Sequence, residues 1–180
     1  MKWLVVFAAG ILCAQAQPKE IVIIRHGEEP NGNSIHLSAK GQKRAQALAD
    51  FFQTNSVVMQ FGPPEALFAA RPKPGGSKRT VETAAPTSEA LGQPLRQPFT
   101  EQQYGALAQK ILQTPSFKGK TVIIVWTHSN IDNLAAALGV RPRPNWKSSV
   151  YDRAWVLVRS QGRVTLKDIP QRLLPGDSKR

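Results

Sequence analysis

The chain has 180 residues, 41% of them hydrophobic, and carries 24 Lys and Arg against 12 Asp and Glu, a formal charge of +12. This length predicts one domain around one substantial core, and the charge surplus favours polyanionic or phosphorylated partners. Because the basic residues are scattered and aromatic residues do not interleave with them, we expect a solvated basic surface and no nucleic-acid ligand.

The N-terminal segment has the pattern of a secretory signal peptide over residues 1–16. Lys2 precedes an apolar run over residues 3–13, and Ala14-Gln15-Ala16 supplies small residues for cleavage. We therefore expect a mature domain over residues 17–180, exported to the periplasm or secreted, with no stable membrane insertion after cleavage. The single cysteine lies in the signal, so the mature chain is predicted to have no disulfide, thiol nucleophile or thiolate metal site.

The first apolar run of the mature chain, residues 21–24, is short and β-branched, which predicts a buried parallel strand. It leads directly into Arg25, His26, Gly27 and Glu28. Ligands bind at the carboxyl ends of strands in open α/β sheets. Arginine offers a fork of donors to phosphate oxygens, histidine is a possible nucleophile, and glycine allows close backbone approach. This position predicts an anion-handling active site.

The rest of the pattern predicts a single three-layer α/β domain with a mostly parallel sheet flanked by helices. A polar loop occupies residues 28–36. The predicted elements that follow are a helix that opens at residues 37–38 with Ser38 as N-cap, a strand over 66–69, a loop over 71–76, a helix over 79–91 that Gly92 caps, a short strand at 95–96, a helix over 104–112, a strand over 121–126, a helix over 131–138, and a closing hairpin of strands 154–158 and 164–169.

A second histidine, His128, follows the strong strand over residues 121–126 as His26 follows the first. If the two strands are neighbours, both imidazoles lie in one crevice, which favours a functional role for the pair. His36 lies in a loop without such a context, and we interpret it as a structural or surface residue.

Two further residues have both a functional and a structural interpretation. Arg79 begins a helix after a Gly-rich loop, where it adds a charged fork to the helix N-terminus or is simply a surface arginine. Glu101 lies at a loop-to-helix transition, as a general acid or as an acid that favours the positive end of the helix dipole. The residues alone leave the two roles of Glu101 equally supported.

Together these segments resemble the histidine phosphatase superfamily, which includes cofactor-dependent phosphoglycerate mutase. The resemblance spans most of residues 20–138 and follows the family's motifs in order. The matching stretches are Arg25-His26-Gly27-Glu28, Leu37-Ser38-Ala39-Lys40-Gly41, Ser77-Lys78-Arg79-Thr80-Val81-Glu82-Thr83-Ala84, Glu101-Gln102-Gln103-Tyr104-Gly105 and Thr127-His128-Ser129. The mutase-like branch has the Glu-x-x-Tyr-Gly segment. No His-Asp pair occurs at the second histidine, unlike the branch of phytases and acid phosphatases.

The resemblance implies a phosphoric monoester hydrolase, a histidine acid-type phosphatase, acting on a phosphorylated small molecule or a phosphoprotein. His26 would attack phosphorus and carry the phosphoryl group, while Arg25, Arg79 and His128 would bind its oxygens. Glu101 would protonate the leaving oxygen. No metal or other cofactor is implied. The alternatives are a phosphotransferase or mutase, a phosphohistidine-protein phosphatase, and a non-catalytic protein that binds phosphorylated ligands.

The loops over residues 28–36, 71–78 and 141–149 are predicted to frame the pocket. In the last of them, Arg141, Arg143, Trp146 and Lys147 either hold a large anionic group or belong to an exposed Pro-rich loop. We expect the exposed loop.

Overall fold

The β-branched runs of the sequence form the centre of a six-stranded sheet in the computed structural model, which describes residues 17–179. The signal-peptide prediction for residues 1–16 lies outside the described residues. The strands are β1 (Glu20–Arg25), β2 (Pro64–Ala69), β3 (Leu95–Arg96), β4 (Thr121–Trp126), β5 (Arg153–Ser160) and β6 (Arg163–Pro170), in the order β3-β2-β4-β1-β5-β6.

The first four strands of the chain are parallel, and the C-terminal hairpin extends the sheet in the antiparallel sense. β1 pairs with β4, β4 with β2 and β2 with β3 in parallel, whereas β5 is antiparallel to both β1 and β6. Every residue of β1 and β4 is buried. Such continuous burial explains why these two strands read as apolar runs without polar alternation.

Four α-helices of the described part of the chain cover the two faces of the sheet. They are α1 (Ala39–Thr54), α2 (Arg79–Leu91), α3 (Tyr104–Gln113) and α4 (His128–Ala137), with one-turn 3-10 helices at Glu101–Gln103 and Pro115–Phe117. Ile21 and Ile23 of β1 pack in the same core as residues of α3 and α4, whereas Val22 and Ile24 pack in the core under α1 and α2. The alternation of neighbouring residues between the two faces produces the three layers.

The structure confirms the predicted fold class. Most boundaries agree within one or two residues, including Ser38, whose hydroxyl accepts a hydrogen bond from the Gly41 N–H at the start of α1. The helix predicted from residue 131 instead begins at His128, three residues earlier. Ser129 and Asn130 in its first turn are polar. The apolar periodicity therefore starts only at Ile131, the first buried residue of the helix.

A buried charge network joins the loop after β1 to α1 and to the C-terminal segment. The Arg44 side chain, 1% exposed, donates to Glu28 over 2.7–3.1 Å and to Asp177 over 2.7 and 2.9 Å. Although burial disfavours a charged carboxylate, the hydrogen bonds from Arg44 lower the pKa of Glu28, and those on Asp177 lower its pKa to about 2. Both carboxylates are therefore ionised. The network fixes the position of Glu28, which lies two residues after His26.

Within residues 17–179, no helix combines the length and the apolar character needed to cross a lipid bilayer.

Candidate active site

The ends of β1 and β4 bring the two sequence motifs to one edge of the sheet. Arg25 is in register with Trp126, and the His26 N–H donates to the Trp126 carbonyl over 3.1 Å. Thr127 then forms the extended N-cap of α4, so that His128 is its first residue. The two histidines predicted to share a crevice thus follow adjacent, parallel strands at the same edge.

His26 is held as a neutral imidazole. Its side chain is 6% exposed, and Nδ1 lies 2.8 Å from the carbonyl oxygen of Gly27. Because a carbonyl oxygen only accepts, Nδ1 carries the hydrogen and Nε2 keeps its lone pair. Burial, together with the charges of Arg25 and Arg79, lowers the pKa of His26 to about 4. At neutral pH this side chain can act as a nucleophile through Nε2.

Gly27 permits a close backbone approach beside the nucleophile. A Cβ at this position would lie 2.8 Å from the carbonyl oxygen of Gly41 in the first turn of α1. The Gly27 N–H donates to the Thr83 hydroxyl of α2 over 2.8 Å. The carbonyl that orients His26 is therefore fixed by contacts with α1 and α2.

Arg25 is 4% exposed. The loop over residues 146–151 binds its guanidinium. Nη1 donates to the Ser148 carbonyl and Nη2 donates to the Tyr151 hydroxyl over 2.9 Å. The guanidinium also stacks on the Tyr151 ring, with its carbon 3.8 Å from the ring centre. These contacts leave Nη2 directed at the carboxylate of Glu29, 2.9 Å away.

Arg79, the first residue of α2, is directed at that same carboxylate. Its Nη1 lies 3.0 Å from Glu29 Oε2, and its Nε donates to the Ser77 hydroxyl over 2.9 Å. Its side chain is 17% exposed. The structure thus brings Arg79 and Arg25 to one anion, which favours the functional interpretation of Arg79 over a solvated surface arginine.

The sequence analysis missed Glu29 as a site residue. Its Oε1 also lies 3.6 Å from Nε2 of His26, so one carboxylate contacts three of the residues that the motifs singled out. The available signal was a second acidic residue directly after Glu28, just outside the Arg25-His26-Gly27-Glu28 motif. The two glutamates differ in environment, because the Glu28 carboxylate is bound by Arg44.

His128 is oriented by a backbone carbonyl. Its Nε2 lies 3.1 Å from the carbonyl oxygen of Trp146, whose own N–H donates to Asp132 Oδ1 over 2.8 Å. Asp132 on α4 therefore fixes the segment that contacts His128 one turn earlier on the same helix.

The prediction of an exposed loop was wrong for Trp146. Its side chain is 3% exposed and packs on Trp155 of β5, with 4.8 Å between ring centres. The indole N–H donates to the Val150 carbonyl over 2.8 Å. Burial of this large apolar ring draws the loop into the core, while Arg141, Arg143 and Lys147 remain exposed.

Glu101 lies at the same edge of the sheet, in the first turn of its 3-10 helix. Its Oε2 accepts a hydrogen bond from the Ser129 hydroxyl over 3.4 Å, and its Oε1 lies 3.9 Å from Lys73 Nζ. The side chain is 32% exposed. Thr100 and Gln103 form the capping box of this turn, so the turn has its N-terminal hydrogen bonds without Glu101. The carboxylate is left to face the residues beside His128.

A small cleft of about 90 Å³ separates Glu101 from the loop over residues 71–77, with Thr80 and Thr127 in its walls. Arg71 and Lys73 also line it. The cleft therefore combines cations with the candidate acid next to the His128 end of β4. His36, by contrast, binds Glu82 of α2 with its Nδ1 at an exposed position, which agrees with a structural role.

No protein-family model and no curated protein match the sequence of this chain. Solved structures do match its fold. A protein histidine phosphatase, SixA, complexed with tungstate aligns with a TM-score of 0.60 at 15% identity, over 84% of this chain and 97% of that chain. Phosphoglycerate mutase from Bacillus anthracis aligns with a TM-score of 0.58 at 13% identity, over 86% and 94%.

A mycobacterial glucosyl-3-phosphoglycerate phosphatase aligns with a TM-score of 0.55 at 17% identity, over 84% of this chain and 97% of that chain. The three structures carry names of different activities, but the fold is common to all of them. The chain has a phosphoglycerate mutase-like fold.

Proposed function

We propose that this protein is a phosphatase that hydrolyses phosphomonoesters through a phosphohistidine on His26. One observation carries the proposal: Nε2 of a buried, neutral His26 lies 3.6 Å from an anion that Arg25 and Arg79 hold between them. A phosphoryl group in that place would have the nucleophile and two cations around it. The shared fold with phosphatases of different substrates supports the same class of reaction.

The residues perform two in-line displacements. Nε2 of His26 attacks phosphorus, the P–O bond to the leaving group breaks, and Glu101 gives its proton to the departing oxygen. The phosphorylated ring is cationic, and the Gly27 carbonyl stabilises it at Nδ1. In the second step Glu101 takes a proton from water, the water oxygen attacks phosphorus, and the P–N bond breaks to restore neutral His26.

Arg25, Arg79 and His128 stabilise the three equatorial oxygens in both steps. The two guanidinium groups supply charge where it develops. Because Nε2 of His128 donates to the Trp146 carbonyl, His128 would bind the third oxygen through a proton on Nδ1. Positioning before the reaction is the main requirement of such catalysis. The Ser148 carbonyl binds Arg25 and the Trp146 carbonyl binds His128. Both carbonyls belong to one loop, which is anchored by the packing of Trp146 on Trp155. This loop therefore positions both side chains before the reaction.

The test is phosphate release from a chromogenic phosphomonoester, in the presence of EDTA and with vanadate as inhibitor. We expect turnover that EDTA does not abolish and that vanadate blocks. His26→Ala abolishes both turnover and the acid-labile phosphoenzyme, whereas His36→Gln, at an exposed histidine outside the site, leaves both unchanged. Binding of phosphorylated ligands without turnover would instead assign the chain to the non-catalytic alternative.

The role of Glu101 is tested with a series of aryl and alkyl phosphates. Glu101→Gln is expected to slow alkyl phosphates by about 10²–10⁴-fold and aryl phosphates much less, since a good leaving group needs no proton. The same series with a phosphohistidine peptide identifies a phosphohistidine-protein phosphatase, whose P–N bond depends least on Glu101. An equal loss of rate for all substrates would reject Glu101 as the acid.

We further propose that residues 1–16 direct export of the protein. N-terminal sequencing of the protein recovered from its native host is expected to begin at Gln17. An intact N-terminus on the folded, native protein would contradict this proposal.

A further inference from the structure

The anion between the two arginines is part of the chain itself. Glu29 presents one carboxylate oxygen to Arg25 Nη2 at 2.9 Å and the other to Arg79 Nη1 at 3.0 Å. Oε1 also lies 3.6 Å from His26 Nε2. A planar carboxylate with one oxygen on each guanidinium repeats the way in which two arginines hold two oxygens of a phosphoryl group.

A substrate and the Glu29 carboxylate cannot occupy this place together. For in-line attack, phosphorus must come within about 3–3.5 Å of His26 Nε2. A carboxylate oxygen already lies at nearly this distance from Nε2, at 3.6 Å. The phosphoryl group therefore has to displace Glu29 from both arginines before it can react.

Glu29 is free to be displaced, unlike its neighbour. Its side chain is 37% exposed and lies outside the helices and strands, followed by Pro30 and a run of mostly exposed residues over 31–34. Rotation of its side chain into solvent breaks no element of the fold. Glu28 has no such freedom, because Arg44 holds its carboxylate in the buried network.

We propose that Glu29 is a built-in competitor of the phosphoryl group, and that it sets the affinity and the charge selectivity of the site. This inference rests on the proposed function, since the place that Glu29 fills is the one assigned there to the phosphoryl group. A monoanionic ligand would replace the single negative charge of Glu29 with another single charge, so it would gain little binding free energy from the two arginines. A dianionic phosphoryl group brings a second charge to the same two guanidinium groups, and so displaces Glu29 at lower concentration.

The experiment is calorimetric titration of inorganic phosphate into the full folded chain, which needs no turnover. Glu29→Gln keeps the size of the side chain and removes its charge, and Glu29→Ala removes the group. Both are expected to bind phosphate about tenfold more tightly, because two partly exposed ion pairs no longer compete. Glu89→Gln, at an exposed position near the end of α2, removes the same charge away from the site and leaves the affinity unchanged.

Unchanged or weaker binding in both Glu29 variants would overturn the proposal, and weaker binding would make Glu29 a positioning residue for the arginines. Absence of phosphate binding in the wild type and in both variants would overturn it as well. A parallel Arg79→Gln variant, expected to weaken binding, reports whether phosphate occupies this place. Tighter binding in the Glu29 variants without turnover of any ester rejects the proposed function alone, whereas turnover with unchanged binding rejects the competitor alone.

Discussion

The neutral state of His26 makes a prediction that thermodynamics can test without a substrate. The pKa of His26 lies at about 4 in the folded chain against an ordinary value of 6.5, and at about 1.4 kcal/mol per unit this difference is worth about 3 kcal/mol. Between these two values the unfolded chain binds a proton that the folded chain does not. The free energy of unfolding therefore falls as the pH drops from 6.5 toward 4, and His26 has no effect above 6.5.

The measurement is urea denaturation of the wild type and of His26→Gln at several pH values from about 7.5 down to about 4.5. Carboxylates titrate in both proteins, so the difference between the two curves isolates His26. Over this range the wild type is expected to lose about 2.5 kcal/mol more than the variant. Parallel curves would refute the reasoning, because they would mean that burial does not keep this ring neutral.

The pH dependence of turnover gives the same group a second readout. Since only the neutral ring attacks phosphorus, the acidic limb of kcat/KM that belongs to His26 is expected near pH 4 rather than near its ordinary pKa of 6.5. A limb at the ordinary value would place the nucleophile in a solvated environment that differs from this structure.

Three substitutions test the parts of the fold that support the site. Arg44→Met leaves two carboxylates without their buried partner and is expected to cost about 3–5 kcal/mol of stability in urea denaturation. Gly27→Ala forces a Cβ to within 2.8 Å of the Gly41 carbonyl oxygen, which is expected to cost about 1–3 kcal/mol and to lower kcat. Tyr151→Phe removes the hydroxyl that accepts a hydrogen bond from Arg25 but keeps the stacked ring. It is expected to raise KM about fivefold at nearly unchanged stability.

Matched controls distinguish these effects from general damage. Lys43→Met changes an exposed cation beside Arg44 on the same helix and is expected to leave stability within about 0.5 kcal/mol of the wild type. Gly105→Ala adds a Cβ where no heavy atom outside its local helix lies within 4 Å. Equal losses in the controls and the test variants would remove the buried network and the close approach at Gly27 as explanations.

The strands and helices were predictable because their causes are local. The β-branched runs of β1 and β4 are buried on both faces, and α2 ends at Gly92, which adopts the left-handed conformation that glycine favours. His26, His128 and Arg79 follow or begin such elements, so their meeting at one edge follows from strand order. The start of α4 at His128 was missed because its first turn is polar.

The contacts of residues 146–151 were not predictable, since they depend on tertiary packing. The burial of Trp146 comes from its pairing with Trp155, a residue in a different element. The bridging position of Glu29 depends on the relative placement of Arg25 and Arg79, which are 54 positions apart in the chain by their residue numbers. Motif patterns carry no information on either arrangement.

The loop that holds Arg25 and His128 acts on them mainly through main-chain oxygens, those of Ser148 and Trp146. Every amino acid supplies a carbonyl, so the residue type at position 148 is free to change over evolution while the contact with Arg25 persists. Selection at this position acts on the path of the backbone and leaves little trace in the identities of the residues. A fold whose contacts rest on main-chain oxygens can therefore be common to chains of only 13–17% identity.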